Sequence, residues 1–208
     1  YSVFTLASVA NISNCTATIT SSDAIVCQNA TANVVVALSG TGPWVLRYSL
    51  NGVTQPDANV TSSPYTINVP TATANTYTYV LQSVSQGGLP GTLVGNIDAV
   101  IKVNALPNAT ISSSNTAVCE GAAITFTANA GMANYNFRVN GFSVQNGSSN
   151  VFNTNALTLN PSSVDVVVTN NNCSRPSSAL SITVNPLPGN AGAISGRTAV
   201  CTNTLNEP

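Results

Sequence analysis

Histidine is missing from this 208-residue chain, and charged residues make up only 5% of it. Without imidazole, neither the usual Ser-His-Asp and Cys-His nucleophile arrangements nor histidine-based metal sites can be assembled. The six acids, Asp23, Asp57, Asp98, Glu120, Asp165 and Glu207, are dispersed and form no calcium loop of the DxDxDG kind. No cofactor or metal is therefore expected, and no enzymatic activity. The five cations, Arg47, Lys102, Arg138, Arg175 and Arg197, make no basic patch that could release counterions from a phosphate backbone, so nucleic acid is not an expected partner. Apolar runs of the roughly 18 to 20 residues that cross a bilayer are absent, as are basic amphipathic stretches, and no membrane insertion is expected of this segment. The chain opens at Tyr1 with no charged n-region and apolar h-region, and reads as a mature or excised piece.

What the sequence does contain is apolar material at 43%, enough for packed cores, with a surface left to Ser, Thr, Asn and Gln. It also repeats itself. "ATITSSDAIVC" (residues 17–27) aligns without gaps on "ATISSSNTAVC" (109–119), and "GAISGRTAVC" (192–201) matches after the loss of one residue. A second block closes each unit, "AVIKVNALP" (99–107) and "ALSITVNPLP" (179–188). Two whole modules follow, 17–107 and 108–188, each near the roughly 100 residues of an immunoglobulin-type sandwich and far longer than a solenoid repeat. Residues 1–16 are either the end of a preceding module or a free N-terminal strand. Residues 189–208 would begin a third module.

The apolar spacing inside a module is that of strands. "NVVVALSG" places Val34, Val36 and Leu38 on one face, and "ITFTANAG" does the same with Ile124, Phe126 and Ala128. "WVLRYSLNG" aligns Trp44, Leu46, Tyr48 and Leu50, and "YNFRVNG" aligns Tyr135, Phe137 and Val139. Both end in Asn-Gly, the pair that takes the positive φ angles of a type I′ hairpin turn. Seven or so short strands per module, regular turn signals and no helical pattern predict an all-β chain of tandem immunoglobulin-like antiparallel sandwiches.

Five cysteines remain to be placed: Cys15, Cys27, Cys119, Cys173 and Cys201. Cys119 precedes the second strand of its module and Cys173 follows the penultimate one, so a Cys119 to Cys173 disulfide within the second module is expected. Closing that loop of about 55 residues would stabilise it by roughly 4 kcal/mol and imply an oxidising compartment. Cys27 stands where Cys119 stands, yet its partner's place falls near "SQGGLPG", which has no cysteine. Cys15 is then the nearby candidate for Cys27, and Cys201 would pair beyond Pro208, as in a chain cut from a longer array.

"GTGPWVLRYSLNG", "SSPYTINVP", "TYTYVLQSV" and "VNALP", in that order, resemble the immunoglobulin-like and PKD-like repeats of giant cell-surface proteins of Bacteroidetes, including gliding-motility adhesins of the SprB type. "VCEGAAITFTANAGMANYNFRVNG" and "TNNNCSRPSSALSITVNPLP" resemble a sister class of the same repeats. The resemblance implies type IX secretion, an extracellular place on the bacterial cell surface, and a non-enzymatic stalk or filament in cell adhesion. Its partners would be neighbouring modules of the chain. Two alternatives stay open. One is a module binding surface polysaccharide through Trp44, the sole tryptophan, or the "GFSVQNGSSN" loop, although the favoured reading of Trp44 is that it plugs the core beside Tyr48 or covers the turn after Gly42-Pro43. The other is a filament of identical chains in which residues 1–9 donate a strand to a neighbour.

Overall fold

The computed structural model describes residues 13–189 and residue 192. The donated strand expected at residues 1–9 lies outside them, as does the expected third module with Cys201, apart from Gly189 and Gly192. Every regular element among the described residues is a β-strand. The first group is β1 (Thr16–Ile19), β2 (Ala24–Cys27), β3 (Asn33–Leu38), β4 (Trp44–Leu50), β5 (Val53–Thr54), β6 (Ala58–Val60), β7 (Tyr65–Asn68), β8 (Asn75–Gln86), β9 (Leu89–Pro90), β10 (Thr92–Leu93) and β11 (Asp98–Asn104). The second is β12 (Ile111–Ser113), β13 (Ala117–Cys119), β14 (Ile124–Ala128), β15 (Asn134–Val139), β16 (Phe142–Gly147), β17 (Val151–Thr154), β18 (Ser162–Asn170), β19 (Cys173–Pro176) and β20 (Leu180–Asn185).

Each group makes two sheets closed over one core. In the first, the order β10-β1-β3-β7 packs against β2-β11-β8-β4-β5; in the second, β12-β14-β17 packs against β13-β20-β18-β15-β16. Val34, Val36 and Ile67 from one sheet meet Leu46, Tyr79 and Ile101 from the other in the first core. Phe126 and Phe152 meet Phe137, Val166 and Ile182 in the second. The two cores share no residue.

The alternation read from the sequence carries through. Val34, Val36 and Leu38 are buried, as are Ile124, Phe126 and Ala128. Trp44, Leu46, Tyr48 and Leu50 all pack on the first core, and Tyr135, Phe137 and Val139 on the second. Both Asn-Gly pairs make two-residue hairpin turns with positive φ throughout, 49° and 79° at Asn51-Gly52 and 51° and 84° at Asn140-Gly141. One departure is a bulge in β8. Arg47 faces Ser83 and Tyr48 faces Leu81, leaving Gln82 unpaired, so the buried positions shift from Tyr77, Tyr79 and Leu81 to Val84.

The opening segment of each group splits between its two sheets. β1 runs antiparallel to β3, while β2 crosses to the other sheet and runs parallel to β11. β12 and β13 repeat the manoeuvre on β14 and β20. Parallel pairing carries the end of β2, Cys27, to the last residue of the first sandwich, Asn104. This places a cysteine at the edge from which the chain leaves for the second sandwich.

Candidate functional site at the joint between the sandwiches

Cys27 is joined by a disulfide to Cys173, in the other sandwich, with a Cα–Cα distance of 5.6 Å. On the first side, Cys27 opens a tight turn in which Gln28 N donates to Asn104 O at 2.8 Å and Ala30 N to Cys27 O at 3.0 Å. On the second, β18 reverses into β19 through Asn171 and Asn172, with φ of 48° and 62°. Asparagine tolerates that left-handed backbone better than other side chains, so "NNNC" is suited to this reversal. Across the joint, Asn104 Nδ2 donates to Asn171 O at 3.0 Å, and Cys27 Sγ lies 3.7 Å from Asn172 O. Pro107 of the connecting segment is buried and Leu106 half-buried.

The expected Cys119 to Cys173 disulfide is not formed. Cys119 pairs with Asn185 at the end of β20, whereas Cys173 follows the far end of β18, and β18 and β20 are antiparallel. The two thiols are therefore separated by a nine-residue strand, on the order of 30 Å, against the roughly 4 to 7 Å a disulfide spans. The proposed Cys15 to Cys27 pair fails for the same reason. Cys15 sits where Thr92 N donates to its carbonyl and Gly91 N to Val84 O, near the end of β8, while Cys27 lies level with the beginning of β8. Cys15 is buried with its sulfur 2.9 Å from Ser13 Oγ; Cys119 is exposed, and among the described residues neither is in a disulfide.

Trp44, the candidate ligand contact, is 6% exposed. Its indole Nε1 donates to Ser39 O at 2.9 Å, and its ring leaves so little room over Gly42 that an added Cβ would stand 2.7 Å from it. It is a core residue and offers no face to a sugar. Tyr77 and Tyr79 are also buried, the Tyr77 hydroxyl donating to Thr73 O at 2.9 Å. Burial pushes the Tyr79 phenol up to about 12, with smaller contributions from Tyr48 and Tyr77. The "GFSVQNGSSN" segment expected as a loop is mostly strand β16, at a sheet edge, with Phe142 and Val144 exposed.

Charge is used locally. Arg47 makes a two-pronged pair with Asp57 at 2.7 and 2.9 Å, which raises the guanidinium and lowers the carboxyl. Arg138 and Asp165, facing each other on β15 and β18, form a second pair, and Asp23 accepts from Val100 N at 2.8 Å. Among the described residues, no three His, Cys, Asp or Glu side chains come together as a metal site. The most built arrangement is thus the joint itself, whose chemistry is a covalent tie supported by a polar contact.

No protein-family model matches the chain, and no curated protein matches it. Among solved structures it is similar to the titin fragment A168-A170, with 11% identity, a TM-score of 0.45, and coverage of 81% of this chain and 66% of that one. It is likewise similar to murine CEACAM1b (13%, TM-score 0.35, 81% and 99%) and to tandem Ig repeats of Dlar (13%, TM-score 0.29, 82% and 98%). The chain thus spans just under two thirds of the titin fragment's length. At these identities nothing about activity or partners carries over. By its own strand order and pairing, the chain is a tandem of immunoglobulin-like antiparallel β-sandwiches.

Proposed function

We propose that this chain is a non-enzymatic extracellular repeat segment, part of a stalk or filament of a bacterial cell-surface adhesin. The observation that carries the reading is the double connection between consecutive sandwiches: the main-chain linker and the Cys27–Cys173 disulfide. Two attachment points remove most of the swivelling a single linker allows, which suits a part that transmits force or holds reach. A disulfide also belongs to an oxidising, extracytoplasmic setting. The near-absence of charge on a Ser, Thr and Asn surface, and the resemblance of its blocks to Bacteroidetes surface repeats exported by the type IX route, support the same place. Neighbouring modules of the chain are the partners this reading assigns.

Small-angle scattering of the unreduced chain tests it. An elongated particle with a narrow distribution of lengths, broadening on reduction, is expected; a particle with the two sandwiches folded back on each other would overturn the reading. A second reading, a surface-binding or self-associating module, is favoured by the β16 edge, where Phe142 is 78% exposed and Val144 47%. Edge strands with bare apolar side chains readily take another strand or a surface. Under that reading Phe142→Ser with Val144→Ser abolishes binding on a glycan array, or association of the chain in solution, while leaving the fold intact.

A further inference from the structure

We propose that Cys119 is the first half of a second staple, which ties this sandwich to a following one through a cysteine placed as Cys173 is placed. The inference rests on the stalk reading and names the partner at its next joint: another sandwich of this type, presenting a cysteine in its β18–β19 reversal.

The two sandwiches end alike. In the first sandwich, Cys27 pairs with Asn104, Gln28 N donates to Asn104 O at 2.8 Å, and Ala30 N donates to Cys27 O at 3.0 Å. In the second, Cys119 pairs with Asn185, Glu120 N donates to Asn185 O at 2.8 Å, and Ala122 N donates to Cys119 O at 3.0 Å. Even the left-handed turn residue recurs, Asn29 at φ 67° and Gly121 at φ 79°. The backbone that aims Cys27 across the joint is therefore rebuilt around Cys119, and in this same structure its counterpart is bonded to the next sandwich.

At the first joint Cys27 and Leu106 are half-buried and Pro107 buried; at the matching places Cys119 and Pro188 are exposed and Leu187 is 62% exposed. The second sandwich thus ends in a copy of the surface that carries the first joint. Asn185, the counterpart of the Asn104 that reaches across the first joint, is exposed as well. The sequence that follows, "GAISGRTAVC", repeats the opening strand of a module, which names the kind of occupant.

Forming the staple takes one proton and one electron from each thiol. A protein or small-molecule disulfide accepts both pairs and leaves as two thiols. The first sandwich has no receiving cysteine of its own, because Leu89 holds the position of Cys173 after the β8–β9 reversal. The staple is thus directional, running from the end of one sandwich to the reversal of the next.

Mass mapping of the native chain, isolated without reductant and blocked with N-ethylmaleimide before digestion, decides the matter. The expected result is Cys27 linked to Cys173, and Cys119 linked to a cysteine that is none of the five in these 208 residues, with Cys119 labelled only after reduction. Quantitative labelling of Cys119 without reduction, or its linkage to Cys15 or Cys201, overturns the proposal. The same sample in small-angle scattering separates the two readings. Labelled Cys119 in an elongated particle removes the second staple and leaves the stalk, whereas linked Cys119 in a folded-back particle does the reverse.

Discussion

Asn104 donates its side-chain amide to the carbonyl of Asn171 at 3.0 Å, and so lays a polar contact alongside the Cys27–Cys173 disulfide, between two sandwiches with separate cores. A disulfide inside one core acts mainly by restricting the unfolded chain. By chain-entropy reasoning a closure of 146 residues is worth about 5 kcal/mol, but here the loop is filled by two bodies that fold on their own cores. Its effect on the folded protein is to fix a joint, by holding the Asn104 contact at high effective concentration.

That assignment predicts the outcome of cutting the linker. With a protease site inserted after Asn108, the cleaved halves run together on a non-reducing gel and apart on a reducing one. In Cys27→Ser they run apart on both. Separation of the cleaved wild-type halves without reductant would show that the joint is not covalently tied.

Independent cores predict independent melting. Phe137 is fully buried, with its ring centroid 5.6 Å from that of Phe152, so Phe137→Ala should cost about 3 to 5 kcal/mol, much of a small domain's stability. Trp44, the only tryptophan, lies in the other core and reports on the first sandwich alone. Circular dichroism should therefore show an early transition in the variant while the tryptophan transition stays where it was. A matching shift in tryptophan fluorescence would mean the sandwiches unfold as one.

The cores were legible because burial in a strand has a period of two, and Val34, Val36 and Leu38 declare their face with no help from the rest of the chain. Asn51-Gly52 and Asn140-Gly141 declare their turns in the same local way. The cysteine pairing was not legible, because alternation says which face a residue occupies and nothing about which end. Cys27 and Cys119 reach the exit end of their sandwiches only because β2 and β13 change sheets and pair in parallel, a non-local choice. The repeat did hold one usable signal: a cysteine present in every copy of one strand but matched by a reversal cysteine in the second module alone points to pairing between modules. The bulge at Gln82 left no mark, since "TYTYVLQSV" reads as an unbroken strand.

Tyr79 predicts an alkaline limit to the first sandwich. Burial raises its phenol in the folded state to about 12, above the ordinary value of 10. The unfolded chain then loses its proton first, so the stabilisation is complete below pH 10 and is lost as pH rises toward 12. Two pK units correspond to a loss on the order of 2 to 3 kcal/mol. Urea midpoints followed by Trp44 fluorescence should fall between pH 9 and 11.5, and Tyr79→Phe should flatten much of that fall. An equal slope in the variant would assign the alkaline loss to other groups.

Two glycines separate a backbone cost from a packing cost. Gly141 has φ 84° and open space where a Cβ would stand, so Gly141→Ala meets only the left-handed penalty, about 1 kcal/mol, confined to the second sandwich. A Cβ on Gly91 would instead strike both the sulfur and the main-chain carbonyl oxygen of Cys15, which is buried against β8. Removing the sulfur cannot relieve the second clash, since every residue at position 15 keeps that carbonyl. Gly91→Ala is therefore expected to lower the stability of the first sandwich by about 1 to 3 kcal/mol and to be only partly rescued by Cys15→Ala. Trp44 fluorescence should register the Gly91 variant and stay silent for Gly141→Ala. Full rescue by Cys15→Ala would show that the main chain at Cys15 yields, and that the strand pairing there is looser than its hydrogen bonds to Thr92 and its neighbours require.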